Sequence, residues 1–223
     1  VSDNASAGPE TETVAREFES SDPRVRYYRQ SRNIGLEGNF KFLLRQAGGE
    51  FFFWAADDDE WSPEFVEICL AHIGDAGSVM TAMRTAVRTR GLLRPKPPLD
   101  ISARRAPYDC AVAFLTNFQP SLFYGIHRRE ALEAFLRERM FDYYDCSFIL
   151  HQILTRGFEV VQRVAFHVGV DTEEPQFKPM RPRAGAVYEY RPFLARALAS
   201  TARSSQLSLW EKARLALLLC YFT

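Results

Sequence analysis

Blocks of apolar and polar positions change period along this chain, and the changes predict its elements. Residues 10–20 (ETETVAREFES) have helical spacing and good helix formers. Residues 25–30 are β-branched and aromatic, a short strand. Asn33-Ile34-Gly35 carries turn chemistry, and Asn39 opens a helix to about Ala47 that Gly48-Gly49 stop. Residues 50–56 are almost continuously apolar, as in a strand buried on both faces, and end in Asp57-Asp58-Asp59-Glu60. Ser62 as N-cap and Pro63 at the first position open a helix to about Ile73. Strands are predicted over 78–83, near Val87 and over 121–127. Helices are predicted over 108–117, 128–139 and 148–154, the last closed near Gly157. Residues 91–107, rich in Pro and Arg, read as a loop, and 158–170 as extended chain.

Strands alternating with helices imply βαβ units and an α/β fold with a mainly parallel sheet. The pattern changes after about residue 172. Residues 173–186 hold prolines and charges and read as a linker, and 188–222 read as two helices, the second over 207–222. The expected organisation is one domain over 1–172, then a linker and C-terminal helices over 173–223. That second helix is amphipathic early and apolar later. Packing on the domain is the first expectation for it, peripheral contact with a membrane surface the other. The chain opens at Val1 inside an element and reads as a trimmed domain.

Composition narrows the classes. The 223 residues are 47% apolar, enough for a core. The 28 basic and 28 acidic residues cancel, so there is no basic excess and no nucleic-acid partner is expected. Cys69, Cys110, Cys146 and Cys220 form no CxxC or zinc-ribbon spacing and read as small apolar residues in a reducing compartment. No apolar run reaches 18 residues and no signal peptide opens the chain, so a cytoplasmic location is expected, with peripheral attachment at the inner face of the membrane as its variant.

The four acids after an apolar strand carry the chemistry. Ligands of open α/β sheets bind beyond the carboxyl ends of strands. Adjacent carboxylates repel, and their hard oxygens suit Mg2+ or Mn2+, which completes its shell with water and substrate phosphates.

The stretch Gly49-Glu50, Phe51-Phe52-Phe53-Trp54-Ala55-Ala56, Asp57-Asp58-Asp59-Glu60, Trp61 and Pro63 resembles the strand and DxD-type motif of family 2 glycosyltransferases. Ser2-Asp3-Asn4-Ala5-Ser6 resembles that family's base-contacting turn. Arg32-Asn33-Ile34-Gly35 with Asn39 resembles its Asn-x-Gly…Asn segment. Tyr124-Gly125-Ile126-His127-Arg128-Arg129-Glu130 resembles the stretch lining the acceptor side, and Tyr144-Asp145 the helix start bearing the catalytic base. Together these span roughly residues 1–170.

The resemblance implies a GT-A (Rossmann-like) fold whose members carry a further strand and helix before the Ser-Asp-Asn turn. It implies inverting transfer of a sugar from a UDP- or dTDP-linked donor to a glycan or lipid-linked glycan acceptor, in cell-surface polysaccharide synthesis. Asp3 and Asn33 would serve the nucleotide, Asp57 the ribose, and Asp58 and Asp59 the Mn2+ or Mg2+ ion, the split among the three acids being open. Asp145 would be the general base, with Asp142 the rival. His167 is a further metal-ligand candidate set against a packed histidine. A metal-dependent nucleotidyltransferase and a non-catalytic nucleotide-sugar-binding or scaffold domain are the competing readings.

Overall fold

Apolar and β-branched runs can be covered on both faces only inside a sheet, and two of them form its centre. These are β5 (Ser78–Val87) and β8 (Phe158–Val168), paired in parallel with Ser78 opposite Phe158. The computed structural model describes residues 1–87, 92–95, 99–169 and 190–221, and of 85–87 and 92–95 the backbone alone. The expected linker over 173–186 lies outside the described residues, as do residues 91 and 96–98 of the expected loop.

Around this pair stand β3 (Phe51–Phe52), β4 (Glu60–Trp61), β6 (Leu92–Pro95) and β7 (Ile126–Arg128). The strand order is β3-β7-β5-β8-β4, with β6 on β5. A second sheet of two parallel strands, β1 (Ser2–Asp3) and β2 (Tyr28–Arg29), is not hydrogen-bonded to the first. Among the described residues, β1–β2 and β5–β8 are parallel and the other four pairings antiparallel. The sheet is therefore mixed, not mainly parallel. Tight returns cause this. Pro120 and the bonds Leu122 N–H to Gln119 O and Gly125 N–H to Leu122 O coil Pro120–Tyr124 into a 3₁₀ turn, where a strand was expected. The chain then re-enters as β7, antiparallel to both neighbours.

The helices are α1 (Glu10–Ser21), α2 (Gly35–Gln46), α3 (Phe65–His72), α4 (Pro107–Thr116), α5 (Glu133–Arg137), α6 (Tyr144–Thr155), α7 (Tyr190–Arg203) and α8 (Leu209–Tyr221). Three expectations need correction. Helix α2 begins at Gly35, whose φ of +75° lets the chain turn in, so Asn39 lies inside it. Helix α3 takes Glu64 at its N-cap, because Ser62 is tied by its N–H to Ala165 O on β8. The apolar run 50–56 contributes only Phe51 and Phe52 to a ladder, at a sheet edge, with both half-buried. Beyond them Trp54 turns into the core.

Helices α7 and α8 share that core. Phe193, Ala197, Leu207, Leu215 and Leu219 belong to one hydrophobic cluster with α6. The Ser204 hydroxyl donates to Leu154 O at 2.7 Å. Outside, α8 exposes Leu209, Trp210, Leu217 and Tyr221. No described helix is long and apolar enough to cross a membrane. Cys69, Cys110 and Cys146 are buried as free thiols, and Cys220 is exposed.

His127 is fully buried at the centre. Its Nε2 donates to Phe123 O at 2.9 Å, and its Nδ1 lies 2.8 Å from the Ser78 hydroxyl, which donates to it when the ring is neutral. Burial pushes His127 down to about 4. An unfolded histidine binds its proton below about 6.5, so this contribution to stability is complete above that pH and is lost as pH falls toward 4, by about 3 kcal/mol. Denaturant unfolding at pH 7 and pH 5 checks it. The loss between them is expected to shrink by about 2 kcal/mol in His127→Asn.

Candidate active site

Two polar turns meet at the carboxyl ends of β1 and β2. Asp3 closes the first: its Oδ1 accepts from Ser6 N–H at 2.7 Å, and its Oδ2 from the Tyr27 hydroxyl at 2.8 Å and Arg29 Nη1 at 3.1 Å. These bonds hold Ala5 at φ +65°, a left-handed conformation costing about 1–2 kcal/mol for a residue with a Cβ. Asn33 closes the second, its Oδ1 accepting from Gly35 N–H at 2.8 Å. The turns lock together because Asn4 Nδ2 donates to Asn33 Oδ1 at 3.1 Å and Ile34 N–H donates to Asn4 Oδ1 at 2.8 Å. Asn39 joins them from α2, its Oδ1 accepting the Ser2 hydroxyl at 2.6 Å. Asp3 and Asn33 are thus brought to one edge, with the Asp3 side chain fully buried beneath its turn.

The acid cluster sits past β3. Asp57 is exposed, Asp58 and Asp59 half-buried. Asp59 Oδ1 accepts Gly169 N–H at 2.8 Å, which ties the cluster to the end of β8. Burial pushes the Asp59 carboxyl up to about 6, and the charges of Asp58 and Asp57 add to the rise. Among the described residues none of the three forms an ion pair. The cluster therefore has acidic charge without a protein counter-charge, which fits a divalent cation. Among the described residues no group of three or more metal-ligating side chains converges. The fit is to an ion held by one or two carboxylates, the rest of its shell left to water and phosphate oxygens.

Beside the cluster, Glu60, His167 and Arg84 are register neighbours across β4, β8 and β5, so they share one sheet face. The His167 Nδ1 is buried and has no partner among the described residues.

The second acidic site comes from α6. Asp145 lies in its first turn, with Oδ1 accepting Cys146 N–H at 2.7 Å. Burial raises its carboxyl above the usual aspartate range. Asp142, the rival, is half-buried in the turn before. Tyr124 joins this site to the acid cluster. Burial pushes its hydroxyl up to about 12, and the charges of Asp59, Asp58 and Asp145 all act on it. Carboxylates distant in sequence thus lie within electrostatic reach of one buried hydroxyl.

A profile of glycosyl transferase family 2 matches residues 1–155. The chain belongs to glycosyl transferase family 2. Solved structures agree on the fold of this family 2 chain. S. aureus TarS 1–349 superimposes with a TM-score of 0.66 at 14% identity, covering 99% of this chain and 60% of that one. The same protein in complex with UDP-GlcNAc gives 0.69 at 14% identity, over 97% and 60%. The mannosyltransferase PcManGT from Pyrobaculum calidifontis, in complex with GDP-Man and Mn2+, gives 0.52 at 17% identity, over 98% and 59%. The fold is GT-A. The chain spans about 60% of the length of these structures. No curated protein matches it in sequence.

Sequence reasoning missed Arg84 and the placement of Tyr124. Arg84 sat one residue beyond a predicted strand, and its cross-strand neighbours are set by pairing alone. Tyr124 lay in an expected strand, and only the 3₁₀ turn carries it to the carboxylates.

Removing the Asp3 carboxylate leaves the Tyr27 hydroxyl and Ser6 N–H without their acceptor. Asp3→Ala is expected to destabilise the family 2 chain by about 1–3 kcal/mol and Tyr27→Phe by about 1 kcal/mol, as read from urea midpoints.

Proposed function

We propose that the chain is the donor-binding and catalytic part of an inverting, metal-dependent glycosyltransferase. It takes a nucleoside-diphosphate sugar, UDP- or dTDP-linked, and a hydroxyl of a glycan or lipid-linked glycan. The observation that carries the reading is the family 2 match over residues 1–155, with acidic groups on both the turn after β3 and the start of α6. It supports two acidic groups with separate tasks.

In this reading Asp3 and Asn33 serve the base and Asp57 the ribose. Asp58 and Asp59 would hold Mn2+ or Mg2+, which when bound would neutralise charge gathering on the leaving diphosphate. Asp145 takes the proton of the acceptor hydroxyl as its oxygen bonds to the anomeric carbon. The carbon–oxygen bond to the diphosphate breaks on the opposite face, inverting the centre. A carboxylate buried enough to have its pKa raised is a stronger base than a free one and contributes about 10²–10⁴-fold. The Tyr124 hydroxyl stays protonated and can donate to either reactant. The exposed Leu209, Trp210, Leu217 and Tyr221 support peripheral contact with the cytoplasmic face of a membrane, where a lipid-linked acceptor of cell-surface polysaccharide synthesis is held.

Thermal unfolding with UDP, with and without Mn2+, tests the donor half. At a hundredfold excess over the dissociation constant the melting temperature is expected to rise by about 5–10 °C, only with both present, and not in Asp58→Asn. No rise in the unaltered chain would sink the reading. Asp145→Asn is expected to keep that rise and to lose about 10²–10⁴-fold in transfer, measured as UDP released in the presence of acceptor. A loss below tenfold would return the role of base to Asp142.

A further inference from the structure

Two tyrosines next to the base have no part in the chemistry above. Tyr143 precedes α6, and Tyr190 opens α7. Their rings stack with centroids 4.7 Å apart and planes 18° apart, and their hydroxyls lie 2.9 Å from each other in a hydrogen bond. Both remain open to solvent, at 39% and 36% exposure. Tyr143 sits at φ +64°, ψ +24°, a left-handed conformation rare for a bulky side chain. Its side chain makes no helix-capping bond that would offset the strain. A strained aromatic residue left in solvent beside a reacting group is an observation in search of a function.

We propose that the Tyr143–Tyr190 pair is a platform for a sugar ring of the acceptor. This rests on the glycosyl-transfer reading. A pyranose presents a face of C–H groups and a rim of hydroxyls, and a tyrosine pair presents the complement, flat carbon faces with hydroxyls at the edge. The distance suits it. Two peptide units separate the Tyr143 and Asp145 Cα atoms, so they are no more than about 7.6 Å apart. A ring resting on the pair lies beside the start of α6, the segment that carries Asp145.

The platform is held from behind. Phe193 and Ala197 of α7 are buried in the common core. Arg196 pairs with Glu138 and lies over the Tyr144 ring at 4.9 Å from its centroid. Tyr144 also donates its hydroxyl to Glu138 at 2.7 Å. The start of α7 is thus fixed to the start of α6, and the two rings need no rearrangement to receive a ligand, which lowers the entropy cost of binding. The C-terminal helices acquire a direct part in acceptor recognition.

Saturation-transfer NMR on the full chain tests this, with methyl glycosides of glucose, galactose, mannose and N-acetylglucosamine as probes, with and without UDP and Mn2+. At least one probe is expected to receive saturation on its ring protons in the unaltered protein. Tyr190→Phe is expected to keep the signal and Tyr190→Leu to reduce it about fivefold, with the melting temperature changed by less than about 2 °C. Tyr143→Gly relieves the backbone strain, so the melting temperature is not expected to fall while the signal does. No signal from any probe in the unaltered protein overturns the platform, as does full signal in Tyr190→Leu. A melting temperature lowered by several degrees in both Tyr190→Leu and Tyr143→Gly overturns it too, since the pair then only braces α7. The thermal response to UDP and Mn2+ is read on the same samples. Its absence alongside a sugar signal faults the donor reading and leaves the platform standing.

Discussion

The indole of Trp54 lies flat against Phe123, with centroids 4.8 Å apart, and against Phe40 at 5.4 Å, while Phe135 closes on it at 5.1 Å. Its N–H donates to Phe40 O at 3.3 Å, so the polar edge is satisfied as the ring is buried. Three segments that carry or adjoin candidate residues are anchored here. Phe40 holds α2, whose start is the Asn33 turn. Phe123 is the neighbour of Tyr124. Trp54 itself lies three residues before Asp57, so burying the indole sends the following acids out toward solvent. Truncating such a ring removes about 3–5 kcal/mol, and here it would also release three pieces of one site.

The electrostatics follow from that arrangement. The segments meeting near the stack bring several carboxylates close together, and burial raises Asp59 and Asp145 above their ordinary range. Uncompensated carboxylates are costly in a folded domain. The cost is tolerated where a cation, a phosphate-bearing ligand or a proton relieves it during function, which is why shifted acids gather at reactive sites. By contrast the carboxylate of Asp3 is held by Ser6, Tyr27 and Arg29 and organises its turn. Acids of one residue type thus differ in their charge balance by the donors around them.

Much of the candidate site is legible as motifs because its parts are local. An apolar run followed by acids, a Ser-Asp-Asn turn, an Asn-Ile-Gly turn and an acid at a helix start are each set by a few consecutive residues. Helices α1, α4 and α6 were legible for the same reason, since helical spacing and good helix formers are properties of a window. The strands were less so. Residues 50–56 have the composition of a doubly buried strand, yet the ladder ends at Phe52 because Trp54 finds a better environment in the core. Residues 121–127 have strand-like side chains, yet Pro120 and two backbone bonds coil their first part.

By itself the sequence determined the family, the presence of two acidic sites and the order of the helices, because these depend on residue type and short spacing. The tertiary structure alone decided strand direction, for pairing joins residues that carry no mark of one another in the chain. It placed Asp59 against Gly169 and set Glu60, His167 and Arg84 in one row. It brought Tyr124 within electrostatic reach of acids from two segments and stacked Tyr190 on Tyr143 across forty-seven positions of sequence. Such contacts arise only when distant segments share a core, and the core is fixed by packing the whole chain at once.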